Sequence, residues 1–499
     1  MRVLRQHQWL LVGLAALPLL LYAHSLANDF VGWDDGLLIT ENPWVQGLTW
    51  TNIRHAFTSY DPELYIPLTL LSYQLNYAIA GLSPWIYHLT NLLLHVGNVL
   101  LMFWIVGQLT QKKMAALAAA LLFAVHPLHT EAVVWAAARK DVLSSVFLFL
   151  TLASFLRYRT TEKSGLPREA RRAKWGWYVL SMVSFGLGLL SKVSILTAPL
   201  VLIMMDWQQE RHGFRRSLRD ALPFFSLSVL FGVVSLFGKI PQSMFISDKL
   251  LIGARATMLL LQKLLLPWGL TVFYPYTQPI SVTTPDLFFS VVAVLLVTAV
   301  CFWTVRFSRW PLFAWVIFLL LVIPSFTNIA KGKNYLLDIY VTTDRYAYAA
   351  SLGPLLLAGL FFDRMRTACS RGIACYAPTT ALASVTIILS ILAYRQSLTW
   401  KDSEALFRHA IAVSPNSYIA HQNLGTIIGE RGDLDRALLE YAAALSIRPD
   451  GTTYYNIGQI MEYEGNTALA IEAYRKAVEL SPWEKEAEER LRILEKGTQ

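Results

Sequence analysis

The sequence predicts an all-α protein: a polytopic membrane helical bundle followed by a short α-solenoid. Three observations carry that reading. Of 499 residues, 55% are hydrophobic and only 15% charged, too apolar for a soluble chain of this size. The apolar residues fall in runs close to the ~20 that a helix rising 1.5 Å per residue needs to cross a ~30 Å hydrocarbon core. Beyond Trp400 these runs stop and the charge changes sign: residues 1–400 hold 32 Lys and Arg against 18 Asp and Glu, residues 401–499 hold 11 against 16. Two domains follow, residues 1–395 and 396–499. A soluble nucleic-acid binder is excluded despite the net charge of +9.

About eleven transmembrane helices are expected, near 8–27, 86–109, 114–134, 142–157, 175–190, 193–207, 221–238, 286–305, 310–327, 346–362 and 375–393. The first follows MRVLRQHQ and runs long into NDFVGWDD, a poor small-residue cleavage site, so it reads as a retained membrane helix rather than a signal peptide. Lys112–Lys113, residues 157–174, 211–220 and 363–371 collect the basic side chains. With the N-terminus inside, the cytoplasmic segments hold 20 Lys and Arg against 6 acids, and the other face holds 12 against 12. That bias orients the N-terminus to the cytoplasm and, with an odd number of spans, the C-terminal region outside. Residues 250–268, LLIGARATMLLLQKLLLPW, are expected as an interfacial or re-entrant helix pair. Cys301, Cys369 and Cys375 form no CxxC pair and no disulfide framework.

The solenoid is read from a repeat. Pro415, Pro449 and Pro482 fall in register with Ala410, Ala444 and Ala477, and with Phe407, Tyr441 and Tyr474. This is the spacing of tetratricopeptide repeats. Leu424–Gly425 and Ile457–Gly458 mark close helix packing, Gly432 and Gly465 the turns, and EKEAEERLRILEK a polar capping helix. So few repeats bury little surface, so docking on the membrane part or on a partner is expected.

Three outer segments hold residues suited to chemistry. Asp34 and Asp35 follow the first span; their simpler reading is a turn or helix cap. His126, His129, Glu131, Arg139, Lys140 and Asp141 crowd beside the third span, where ionisable groups are costly unless paired or functional. Structural ion pairs are the plain alternative there. HPLHTE lacks the HExxH spacing that places two imidazoles on one helical face, so no metal site is assigned. Lys331, Lys333, Asp338, Asp344 and Arg345 form the third group, able to grip a lipid phosphate or bulk headgroups.

Together these groups suit glycosyl transfer from a polyprenyl-phosphate sugar. The donor's phosphate leaves as an anion, so cations stabilise it. The acceptor hydroxyl is a poor nucleophile and needs a carboxylate to take its proton. One displacement inverts the anomeric centre, and no divalent metal is demanded.

FVGWDDGLLITENP, IPLTLLSYQLNYAIAGLSPWIYHLTNLLLH, HPLHTEAVVWAAARKDVL, TTDRYAYAASLG and the repeat array occur in that order. This ordered set resembles the transmembrane-and-tetratricopeptide O-mannosyltransferase family and its bacterial relatives. The resemblance implies a GT-C glycosyltransferase similar to the protein O-mannosyltransferases, with Asp34 as catalytic base and Asp35 its neighbour. Two departures stand out: family members usually read YRPL where this chain has Tyr65–Ile66–Pro67–Leu68, and Lys-Glu where it has Lys192–Val193. Arg139, Lys140 or Arg345 could compensate.

The expected protein is therefore an integral membrane glycosyltransferase that moves a sugar from a polyprenyl-phosphate monosaccharide to a hydroxyl, Ser or Thr of an acceptor protein, on the outer face. Asp34 is the base; Asp35 and Glu131 orient it or the acceptor. Arg139, Lys140, Lys192 and Arg345 bind the donor phosphate, while His126, His129 and Asp141 contact acceptor or structure. No further cofactor is required. The repeats hold the acceptor protein or a partner, membrane lipids surround the bundle, and the location is a bacterial inner membrane. A different class stays open: a non-catalytic scaffold that uses a degenerate enzyme body to anchor its repeats.

Overall fold

The computed structural model describes residues 8–61, 64–160, 168–210, 213–238, 244–328, 330–331, 338–368, 376–483 and 485–497, with the backbone alone at 168–172, 328, 330–331, 338 and 497. Lys333, Cys369 and Cys375 lie outside the described residues, as does the basic N-terminal heptapeptide. Contacts divide the chain into two compact units, Met1–Trp400 and Lys401–Gln499.

In the first unit, α1 (Gln8–Tyr22) continues as a 3-10 turn to Ala27. Two short helices, α2 (Trp50–Thr58) and α3 (Pro67–Ala80), occupy the following loop. Then come α4 (Pro84–Thr110), α5 (Lys113–Val125), α6 (Thr130–Val134), α7 (Arg139–Thr160), α8 (Arg168–Ser191), α9 (Ala198–Gln209) and α10 (Phe214–Phe237). The unit closes with α11 (Ile246–Leu265), α12 (Pro285–Thr304), α13 (Trp310–Val322), α14 (Ala347–Ala350), α15 (Leu352–Ala368) and α16 (Ala377–Leu398).

Among the described residues, seven helices are long and apolar enough to cross a membrane, or nine if two bent pairs each count as one span. The chain is an integral membrane protein; two of the eleven expected runs, near 175–190 and 193–207, fall short of that length and apolarity, although Lys192 pairs with Asp141 at one end of α7 and Asp206 with Arg159 at the other, so the second run extends along that helix. Their weaker apolar signal has physical causes. The run near 175–190 lies in α8, where Lys174, Trp175, Gly176 and Trp177, then Gly186, Gly188 and several serines, dilute the apolar content. The run near 193–207 is split into a 3-10 turn, Val193–Thr197, and the 12-residue α9, only about 18 Å long at 1.5 Å per residue. Residues 250–268 also differ from expectation: they form one continuous amphipathic helix, α11, and a short tail rather than a helix pair.

Close approach of backbones packs the bundle. A Cβ at Gly353 would lie 2.1 Å from the Ala314 carbonyl oxygen, and one at Gly359 would lie 2.3 Å from that of Ala115. Glycine on α15 thus lets α13 and α5 pack against it, as small residues do between membrane helices. At one end of α7, Arg159 is buried and donates to Asp206 and, at 2.7 Å, to Asp220. Arg139 begins the same helix twenty residues earlier, so about 30 Å separates the two ends. The candidate site is at the Arg139 end.

A two-stranded antiparallel pair, β1 (Ala330–Lys331) and β2 (Asp338–Ile339), precedes α14, with Ala330 opposite Ile339. In the second unit, α17 (Ser403–Val413), α18 (Tyr418–Glu430), α19 (Leu434–Ile447), α20 (Gly451–Tyr463), α21 (Thr467–Leu480) and α22 (Lys485–Gly497) stack as antiparallel pairs. Asp402, Ser417, Asp433, Asp450 and Asn466 cap successive helices by accepting backbone N–H bonds. Gly425 and Gly458 face the rings of Tyr441 and Tyr474 at distances that leave no room for a Cβ, and Gly432 and Gly465 adopt φ of 88° and 77°.

Candidate active site

The site is built where membrane helices break. Pro127 supplies no N–H to continue α5, and the bend between α5 and the following turn and helix is 56°. His126 stabilises the break: its Nδ1 accepts the Leu128 N–H at 3.2 Å, and its Nε2–H donates to the Leu264 carbonyl at 2.9 Å. A second break, Trp135–Ala138, separates α6 from α7. A third lies between α8 and α9 at Lys192–Thr197, and a fourth bends the chain by 59° between α14 and α15. Irregular backbone at membrane depth is tolerated only where protein buries it or where it lines a cavity. Residues 126–142 are all buried.

Asp35 joins the first outer loop to the start of α7. Its Oδ2 accepts the Val31 N–H and its Oδ1 accepts the Ala137 N–H, both at 2.8 Å, and the residue is 1% exposed. Burial pushes its carboxyl up to about 7, against the two backbone donors that favour the anion; the charge of Asp34 adds to the rise. This anchorage brings Asp34 beside α7, where its Oδ2 lies 3.5 Å from Lys140 Nζ. The Asp34 side chain remains about a quarter exposed (27%), whereas Lys140 is 7% exposed. Lys140 also sits over the Trp135 ring at 5.9 Å.

A second group lies next to this pair. Lys192 is ion-paired with Asp141 and stands 5.1 Å over the Tyr346 ring. Arg345 is ion-paired with Glu131, which also accepts the Arg345 backbone N–H at 3.0 Å. Its guanidinium lies 4.9 Å over Trp135. Lys192, Arg345 and Asp141 line one narrow cleft with Ser144, Ser145, Ser194, Ser325 and Tyr346, with a cavity volume of about 40 Å³. Asp141 Oδ2 and Arg345 Nε are buried in this region with no hydrogen-bond partner among the described residues. An acceptor and a donor are thus available to a ligand.

Several residues expected to touch substrate are committed elsewhere. Arg139 is wholly buried and donates to Asn91, to Ser72 at 3.1 Å, to Asn76 at 2.9 Å and to the Tyr87 carbonyl at 2.8 Å. It stitches α3 and α4 to α7 instead of facing the cleft. Glu131 holds Arg345 rather than Asp34 or the acceptor. His129 uses Nδ1 on the Phe123 carbonyl at 2.9 Å and Nε2 at 3.0 Å from Ser351 Oγ. His126 and His129 are therefore braces of the helix breaks, and among the described residues no group of three or more His, Cys, Asp or Glu is gathered as metal ligands.

At the two departures from the YRPL and Lys-Glu patterns, Ile66 is buried (3% exposed) and Val193 begins the turn beside Lys192. The four serines and Tyr346 were missed at the sequence level. Ser144 and Ser145 stand one turn after Asp141, a helical spacing that could have pointed to them; Ser194 and Ser325 carry no such signal.

Residues 62–209 match the model of the dolichyl-phosphate-mannose-protein mannosyltransferase family, and residues 451–482 match a tetratricopeptide repeat. Protein O-mannosyl-transferase TMTC2 of Mus musculus is 32% identical over 206 residues, covering 38% of this chain and 23% of the relative. Protein O-mannosyl-transferase TMTC3 of Homo sapiens is 24% identical over 470 residues, covering 84% of this chain and 48% of the relative. The crystal structure of ArnT from Cupriavidus metallidurans in the apo state aligns with a TM-score of 0.43 and 17% identity, over 87% of this chain and 75% of that chain. The resemblance to the transmembrane-and-tetratricopeptide O-mannosyltransferases holds over the bundle and the repeats, while the chain spans less than a quarter of the first of these relatives and about half of the second.

Proposed function

We propose that this chain is a GT-C type glycosyltransferase that moves a sugar from a polyprenyl-phosphate carrier to a hydroxyl of an acceptor protein, with inversion. The observation that carries this reading is the partly exposed Asp34 held beside Lys140, next to a cleft with Lys192 and Arg345 in its wall. The names of the relatives, protein O-mannosyl-transferases, support the reaction class.

Asp34 accepts the proton of the acceptor hydroxyl as its oxygen attacks the anomeric carbon. The bond from that carbon to the phosphate oxygen breaks, and the departing polyprenyl phosphate gains one negative charge. Lys192 and Arg345, fixed by Asp141 and Glu131, stabilise that charge without having to reorganise. Lys140 pairs with Asp34 between turnovers. Asp141 Oδ2 is suited to accept from a sugar hydroxyl, and the serines to donate to phosphate oxygens. Lys192 and Arg345 here do the work for which a cation at position 66 would otherwise be available.

The basic loops orient the N-terminus to the cytoplasm. Counted with or without the consecutive runs 175–190 and 193–207, the spans are odd in number, so an internal N-terminus places the repeats on the outer face with Asp34. The membrane is that of a bacterial cell. The repeats present the acceptor protein.

The test is transfer itself. Membranes containing this chain, supplied with polyprenyl-phosphate mannose carrying a radiolabel, should incorporate label into protein above membranes without it. Absence of transfer with this and other hexose donors contradicts the reading.

A further inference from the structure

Residues 270–276 form a buried segment without regular structure between α11 and α12. Thr271, Val272 and Phe273 are each 2% exposed or less. Connecting segments normally run over the surface, because buried irregular backbone must find partners for its polar groups. Its polar groups find partners on one half of the candidate site, and its Phe273 ring packs on the other. On one side the Phe273 ring stacks on Trp33, the residue before Asp34, with ring centroids 5.2 Å apart and planes 26° apart. On the other, the Thr271 N–H and the Tyr274 hydroxyl donate to the two oxygens of Asp344, at 3.1 and 2.7 Å, and Asp344 precedes Arg345. The Val341 N–H donates to the Tyr274 carbonyl and the Tyr276 N–H to the Ile339 carbonyl, both at 2.8 Å, so the segment is also laced to the strand that enters the Arg345 turn.

We propose that residues 270–276 are a strap that sets the spacing between the Asp34 loop and the Arg345 turn, with Phe273 and Tyr274 as positioning residues. The inference rests on the proposed transferase reading, in which Asp34 and Arg345 act on opposite sides of the bond being exchanged. Neither strap residue touches the reacting atoms. Each acts through one neighbour, and the two neighbours do different work. Loss of the Tyr274 hydroxyl leaves Asp344 hydrogen-bonded by the Thr271 N–H alone among the described residues and loosens the Arg345 grip on the donor. Loss of the Phe273 ring removes its stack on Trp33 and lets the base drift from the acceptor. Displacements of about 1 Å cost on the order of 100-fold in rate when they separate reacting groups.

The test is steady-state transfer with the full chain in membranes, varying polyprenyl-phosphate sugar. Tyr274→Phe should raise the donor KM about tenfold with kcat changed less, whereas Phe273→Leu should lower kcat about tenfold with donor KM unchanged; Phe273→Tyr, which keeps the ring, should restore kcat. A merely structural segment would lower the amount of active enzyme in both variants with KM constant, and that result overturns the strap. So does wild-type behaviour of both variants in a chain whose wild type transfers sugar. If either variant fails to accumulate, Thr271→Pro, which removes one donor to Asp344, takes the place of Tyr274→Phe, and Phe273→Met that of Phe273→Leu, with the same expected split. A wild type that transfers nothing overturns the transferase reading and the strap together, which separates the two failures.

Discussion

Paired acidic residues rarely have the same task, and Asp34 and Asp35 divide theirs by environment. Asp35 is enclosed and spends both oxygens on backbone N–H groups; Asp34, one residue earlier, keeps solvent access beside a lysine. With its carboxyl pushed up to about 7, Asp35 takes up a proton as pH falls through that value and can no longer accept on both oxygens. Transfer should therefore decline below about pH 7, and Asp35→Asn, which cannot titrate, should lose that inflection from its pH–rate profile. The contribution to stability has the opposite sign: the raised value favours the fold fully below the ordinary carboxylate range and is lost as pH rises through about 7. A second expectation concerns Arg139, whose donors are all turned inward. Arg139→Lys, which cannot reproduce a forked set of bonds, should lower thermal stability in detergent with retention of polyprenyl phosphate near wild type, whereas Lys192→Gln should weaken that retention at least tenfold. Equal effects of the two on phosphate retention would contradict the division.

Helix breaks, more than helices, make the site. The apolar runs made most elements legible, because a membrane helix must satisfy its own backbone and announces itself by length. The repeats were equally legible: Gly425, Gly458, Tyr441 and Tyr474 recur in register because one ring can pack only where the facing residue lacks a Cβ. Gly425→Ala should thus destabilise the repeat unit by about 1–3 kcal/mol, the usual cost of overpacking, read by thermal unfolding of the full chain. Less legible was anything that depends on which partner a side chain meets. Arg139 and Lys140 are adjacent and look alike in a sequence, yet a helix turns them to different faces, one to Asn91 and Asn76, the other to Asp34. Glu131 gave no hint that its partner lay 214 residues away. Spans were less evident where glycine, serine and tryptophan diluted a helix that packs against others, and where a 3-10 turn after Lys192 divided one apolar run in two.

At the scale of the molecule, a membrane unit with a cation-lined cleft is joined to a repeat unit, and the two readings weighed at the outset assign the parts different weight. An enzyme keeps its chemistry in residues 1–400. Removal of residues 401–499 should preserve polyprenyl-phosphate binding and turnover on a short Ser/Thr peptide while reducing transfer to protein; a scaffold built for its repeats would lose all measurable function on the same deletion. The most direct measurement is the transfer of labelled sugar by Asp34→Asn in membranes, alongside binding of the polyprenyl-phosphate donor. The account predicts a fall of about 100-fold or more in turnover, the usual contribution of a general base, with expression and donor binding unchanged. Transfer at the wild-type rate by that variant would contradict it.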